Sequence, residues 1–229
     1  MIFLNSYKKL TRFLLFLVSL LFISVCSYSQ ELPVGYTILF ENKCTDKSIL
    51  DLITTDNSEQ WAVNGNLKIT PPACDSTDTL SQFILPGIMG IINNLILGDF
   101  IMEFQVRQDD IKGNFYLIGP AKSKDNLYTY SFMGDSVTFC YISQSEVIFQ
   151  QSKYFSADFR NWNTFVIERD ILKRTTSFKL KNEPERKVIF SHPGLVMGFI
   201  GFGADKAPFD VRNIKIWGPT SISEKEFCW

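Results

Sequence analysis

The chain has 229 residues, 45% hydrophobic and 21% charged, with 23 Lys and Arg against 24 Asp and Glu and a formal net charge of −1. This composition excludes a disordered polyelectrolyte, and the scatter of Lys and Arg among acids speaks against a polyanion partner such as nucleic acid, which needs a clustered basic stripe. A single histidine excludes zinc sites built from several imidazoles, and no phosphate loop, dinucleotide fingerprint, G-x-S-x-G or H-E-x-x-H occurs.

The first element in chain order is a signal peptide, expected over residues 1–29. Lys8, Lys9 and Arg12 precede an uncharged apolar run from Phe13 to Val25, and small polar residues follow. The run falls short of the roughly 18 to 20 residues that span a bilayer, so no transmembrane span is expected in the mature chain. Ser27-Tyr28-Ser29 offers small side chains at the first and third positions before a cut, which would leave Gln30 as the new N-terminus. Lipidation at Cys26 is the rival outcome, disfavoured because Val25 stands where bacterial lipoprotein signals want a small residue. Cleavage removes three cations and no acid, taking the formal net charge from −1 to −4. The destination is expected to be secreted, periplasmic or in the cell envelope.

From there to residue 219 the pattern is one of short strands. Tyr36–Phe40, Asp99–Arg107, Leu127–Met133 and Asn163–Arg169 alternate apolar and polar residues with period two, the mark of half-buried strands. Helix signals are confined to Thr45–Thr54 and Glu224–Cys228. Strands broken by Gly, Asn, Asp and Ser, with no long helices between them, predict an all-β sandwich of two antiparallel sheets over residues 30–219, followed by a tail at 220–229.

Local chemistry sets the register in two places. A three-residue loop, Asn64-Gly65-Asn66, puts Trp61, Val63, Leu67 and Ile69 on one face, with Asn66 expected in the left-handed conformation. In the last strand Phe209 and Val211 share one parity, Ile214 and Ile216 the other. A bulge near Arg212-Asn213 turns all four inward. The predicted core is Trp61, Leu67, Phe100, Phe104, Phe115, Phe139, Phe165, Ile167, Phe178, Ile200, Phe202, Val211, Ile214 and Ile216.

Four cysteines follow the signal segment. Cys44 and Cys74 lie in polar, turn-rich segments and are expected to form a disulfide in an oxidising compartment, whereas Cys140 sits in an apolar strand pattern as a small buried residue and Cys228 lies on the tail.

Several segments resemble the concanavalin A-like lectin/glucanase superfamily, and within it secreted bacterial domains of the 3-keto-disaccharide hydrolase-like, laminin G/jelly-roll kind. They are Trp61-x-Val-x-Gly-x-Leu, the strand Gly98–Arg107, Arg160-Asn161-Trp162-Asn163 ahead of a strand, and the closing pair Gly198–Ile216. The resemblance spans Tyr36 to Trp217 and implies a jelly-roll β-sandwich that handles carbohydrate. Laminarinase-type members carry a Glu-x-Asp-x-Glu strand whose acids are nucleophile and general acid, and this chain contains no Glu-x-Asp. Ordinary glycoside hydrolysis needs two carboxylates at a defined separation. The asparagine-serine-glycine run of the keto-disaccharide-like group is also missing; Gly113-Asn114-Phe115-Tyr116 stands roughly where it would be.

The expected function is therefore a secreted, non-catalytic, lectin-like module for a polysaccharide or oligosaccharide. The alternatives are a hydrolase using Glu103 or Asp99 as base, and a structural or adhesive envelope protein. Candidate ligand-binding residues are Glu103, Gln105 and Arg107, alternating along one strand, with Tyr116, Tyr128 and Tyr130 on following strands. Carboxylate, amide and guanidinium groups bond sugar hydroxyls, and aromatic rings stack on the apolar face of a pyranose. A solvated sheet face shows the same alternation, so the pattern alone does not decide between the two. His192, in Ser191-His192-Pro193-Gly194, reads as a structural residue at a turn. No cofactor or metal is expected: the superfamily resemblance implies a calcium ion between the first and last strands, with Glu41 or Asp210 as oxygen donors, but no dense acidic loop supplies six to eight ligands. Nothing in the sequence sets the oligomeric state.

Overall fold

The computed structural model describes residues 32–55, 57–72, 87–108, 113–192, 194 and 197–219. In chain order the elements are β1 (Tyr36–Asn42), a one-turn helix α1 (Ser48–Asp51), β2 (Ile53–Thr55), β3 (Trp61–Val63), β4 (Leu67–Ile69), β5 (Ile88–Leu97), β6 (Phe100–Gln108) and β7 (Asn114–Ser123). Then come β8 (Asn126–Met133), β9 (Ser136–Ser143), β10 (Glu146–Tyr154), β11 (Asn163–Asp170), β12 (Thr175–Leu180), β13 (Glu183–Ser191), β14 (Gly198–Asp205) and β15 (Phe209–Pro219). They build two antiparallel sheets, as the period-two pattern predicts. One runs β13-β12-β11-β6-β15-β4-β3, with β1 also paired to β15; the other runs β10-β9-β8-β7-β14-β5-β2.

The inner faces of the two sheets meet in one apolar core, which contains all fourteen residues expected there. Phenylalanine dominates it. Phe104 on β6 lies 5.5 Å from Phe165, 5.3 Å from Phe202 and 5.8 Å from Phe115, ring centroid to ring centroid, so a single residue ties both sheets together. Each such pair contributes about 0.5–1.5 kcal/mol beyond its burial. Close approach is secured by glycine where rings need room. A Cβ on Gly90 would lie 2.6 Å from the Trp61 indole, and one on Gly201 would lie 2.0 Å from the Gly90 carbonyl oxygen.

The hairpin between β3 and β4 has the expected register, Trp61 opposite Ile69 and Val63 opposite Leu67. The left-handed residue of its loop is Gly65, with φ 73°, and not Asn66, because a glycine within the loop takes that conformation at no steric cost. The bulge in β15 falls where parity demanded it, between Arg212 and Lys215, with Asn213 at φ 52°. The helix signal over Thr45–Thr54 shrinks to one turn, after which Ile53–Thr55 joins the second sheet through β5.

Cys44 corrects a premise of the expected disulfide. It is buried with a free thiol, packed in the core beside Ile214 rather than exposed in a loop, and burial pushes the thiol up to about 12. Cys74 lies outside the described residues, as do the expected signal segment 1–29, Cys26, Cys228 and the tail 220–229. Cys140 is buried with a free thiol, as its strand pattern implied.

Candidate functional site

β6 alternates as its sequence requires. Met102, Phe104 and Val106 point into the core, while Glu103, Gln105 and Arg107 stand half-buried on the outer face of the first sheet. Each of the three is held by a neighbour on that face. Arg107 Nη2 donates to Asp210 Oδ2 on β15 at 2.8 Å, and Lys181 Nζ, from the turn after β12, lies 2.9 Å from the Glu103 carboxylate.

Gln105 is the hub of this face. Its Oε1 accepts from Arg212 Nε at 2.8 Å and from Asn213 Nδ2 at 3.0 Å, while its Nε2 donates to Thr164 Oγ1 on β11 at 3.1 Å. The two bonds accepted by Oε1 depend on the β15 bulge, since the extra residue brings both Arg212 and Asn213 to bear on one amide. Gln105 thus positions other groups and has little capacity left for a ligand.

Trp162 stands beside this network at the end of a stapled loop. Asp158 accepts from the Arg160 backbone N–H at 3.2 Å and from Asn161 Nδ2 at 2.8 Å, and Asn163 Nδ2 donates to the backbone oxygens of Asp158 and Asn161. These bonds explain the segment Arg160-Asn161-Trp162-Asn163: a polar loop closed by its own side chains delivers the indole to a fixed place. There the ring is stacked by the Arg212 guanidinium at 3.9 Å, with Arg107 at 5.1 Å. A hollow of about 310 Å³ opens next to it, lined by Trp162, Asn163, Thr164, Lys181 and Asn182.

The three tyrosines do not join this face. Tyr128 and Tyr130 on β8 belong to the inner core, with Tyr130 Oη donating to Thr176 Oγ1 at 2.9 Å and burial pushing that phenol up to about 12. Their shared parity with Phe132 marks the apolar side of β8. Tyr116 lies on the outer face of the second sheet, fully buried next to Ser131 on β8 and diagonal to Asp205 on β14. Asn114 Nδ2 donates to its hydroxyl at 3.4 Å, and burial, reinforced by the Asp205 charge, pushes it up to about 12. The first sheet is therefore where the expected polar residues come together.

Sequence reasoning missed Trp162, Arg212 and Lys181 as site residues. The first two carried a signal, as a recurrent motif and as a bulge. Lys181 carried none, because it meets Glu103 across 78 residues of sequence. The two acids considered as a hydrolase's base are both engaged: Glu103 by Lys181, and Asp99 by the Ile171 N–H, which donates to its Oδ1 at 2.5 Å. Among the described residues no group of three or more His, Cys, Asp or Glu could hold a metal ion.

No protein-family model matches the sequence, and no curated protein sequence matches it. Solved structures do match in shape. A carbohydrate-binding module of family 66 from Bacillus subtilis superposes with a TM-score of 0.54 at 16% identity, covering 73% of this chain and 96% of that one. A GlcNAcα1-4Gal-releasing endo-β-galactosidase from Clostridium perfringens superposes with a TM-score of 0.54 at 12% identity, covering 82% of this chain and 64% of that one. At such identities the likeness is one of fold alone, that of a sandwich of two antiparallel sheets.

Proposed function

We propose that the protein is a non-catalytic carbohydrate-recognition module whose site is the outer face of the first sheet around Trp162. The observation that carries this reading is the indole itself. A half-buried tryptophan held by a stapled loop and a stacked guanidinium, with a polar hollow alongside, combines an apolar platform with fixed hydrogen-bonding groups. That combination suits a pyranose, whose ring offers an apolar face and a rim of hydroxyls. Because the ring and the Gln105 network are ordered by protein contacts, little conformational freedom remains to be lost on binding.

The fold supports the class, since a carbohydrate-binding module and a galactosidase share it. The engagement of Glu103 and Asp99 by protein partners favours recognition over hydrolysis. Export after removal of residues 1–29 would bring such a module to extracellular or envelope glycans.

Affinity electrophoresis against a panel of plant, algal and microbial polysaccharides tests the reading. Binding to at least one is expected. Trp162→Ala, with its circular dichroism spectrum intact, should weaken that binding about tenfold or more, equivalent to 1.4 kcal/mol, while Trp162→Phe retains part of it. Unchanged binding in Trp162→Ala would remove the site from this face.

A further inference from the structure

We infer that the saccharide taken at this face is an acidic one, bearing carboxylate groups; the inference rests on the recognition reading above and adds the chemical class of the ligand. Its ground is the charge that folding gathers there. Along the sequence Lys and Arg are scattered among acids, and the whole chain carries −1. The outer face of the first sheet is different. Register places Lys68, Asp210, Arg107 and then Arg212 and Gln105 side by side across β4, β15 and β6. The next row runs from Glu41 through Lys215 and Glu103 to Val166 and Lys179, with Lys181 at the edge of the hollow. Across these two rows and Lys181 six cations face three carboxylates, a local surplus of three on a chain that is negative as a whole, with Glu168 and Lys187 pairing with each other further along the face.

The carboxylates are already matched, Asp210 with Arg107, Glu103 with Lys181 and Glu41 with Lys215. Among the described residues Lys68, Lys179 and Arg212 stand in no ion pair. Arg212 is the most specific of them. Its Nε is pinned to Gln105 Oε1 and its Cζ lies 3.9 Å from the Trp162 ring centroid, so the guanidinium is held at two points, while its two terminal nitrogens have no protein partner among the described residues. A fixed fork of two free N–H groups is the complement of a carboxylate, and next to a stacking indole it is the complement of a uronic acid. A neutral sugar would leave this charge unanswered. Nucleic acid is the less favoured polyanion: strong binding there comes from many phosphate contacts along a basic stripe, whereas this surplus is three charges around one aromatic ring.

The test measures binding of galacturonate, mannuronate and glucuronate oligosaccharides, each beside its methyl ester, which keeps the sugar and removes the charge. At least one acid form should bind about tenfold or more tightly than its ester and weaken as salt rises from low to physiological strength. Arg212→Gln, checked for an unchanged melting curve, should lose about tenfold more affinity for the acid than for the ester, and Arg212→Lys should recover only part of that difference, since it restores charge without the fork. Equal binding of acid and ester, or of a neutral glycan alone with loss in Trp162→Ala, overturns the acidic class and leaves the recognition reading standing. Failure to bind any glycan, acidic or neutral, overturns both. Tighter binding of a single-stranded oligonucleotide than of every uronate overturns the inference in favour of nucleic acid.

Discussion

Arg169 and His192 share a buried bond that constrains the protonation of both. Arg169 Nη1 lies 2.9 Å from His192 Nε2 and 3.3 Å from Thr176 Oγ1, with the Tyr128 ring 5.6 Å from the guanidinium carbon. A guanidinium has no lone pair to offer, so Nε2 is the acceptor and the imidazole is neutral with its proton on Nδ1. Burial first, and the Arg169 charge second, hold His192 down at about 4 against an ordinary 6.5. The unfolded chain therefore takes up a proton near pH 6.5 that the folded chain refuses until about pH 4. Stability on this account is fully present above pH 6.5, falls as pH drops through that window, and is lower by about 3 kcal/mol below it. Urea unfolding of wild type and His192→Gln from pH 7.5 to 4 measures the difference, since glutamine still accepts from Arg169 but does not titrate. A difference between the two that is flat with pH would refute the assignment. The structural role read for His192 from its turn sequence is of this kind, but nothing in Ser191-His192-Pro193-Gly194 announces a buried arginine 23 positions away.

At the scale of elements, β15 shows what sequence pattern can and cannot reveal. The parity break between Val211 and Ile214 is visible in the sequence, and it fixes both the bulge and the inward set Phe209, Val211, Ile214 and Ile216. Asn213 takes the strained position at φ 52°, a conformation open to Asn and Gly and costly for β-branched residues. Asn213→Val should lose about 1–3 kcal/mol in denaturant unfolding, whereas Asn213→Gly should stay within about 1 kcal/mol of wild type. Equal losses would mean that backbone strain is not what the asparagine relieves. The strand pattern also fixed which side chains share a face, which is why Glu103, Gln105 and Arg107 fall together. It did not fix which face is wet: Tyr128 and Tyr130 share a parity with Phe132, and the aromatic side of β8 is the buried one. What a bulge does to its neighbours was likewise out of reach, because Arg212 meets Gln105 across 107 residues and meets Trp162 from a different loop. Alternation is local, and the site is made of contacts that are not.

The molecule as a whole is a sandwich whose sheets end in edges, and one pair of edges is exposed. β10 ends the second sheet and β13 the first, and both are open to solvent along most of their length. On β10 the run Val147-Ile-Phe-Gln-Gln-Ser152 has no charge and no proline, with Ile148 56% exposed. Such a strand is a template for pairing with another chain. Two features oppose it here. The register slips between Val147 and Phe149, which bends the edge, and Lys153 reaches across to β13, donating to the Ile189 carbonyl oxygen at 2.5 Å with its ammonium 5.4 Å from the Phe190 ring centroid. That lysine occupies an edge carbonyl and places a charge between the two open strands. Ile148→Lys should therefore slow aggregation during heating, followed by light scattering, while folding stability stays within about 0.5 kcal/mol because the residue packs against little. Lys153→Ala should act in the opposite direction, since it frees the Ile189 carbonyl and removes the charge from the seam. If both variants aggregate at the wild-type rate, self-association proceeds through another surface and the protection of this edge lies elsewhere.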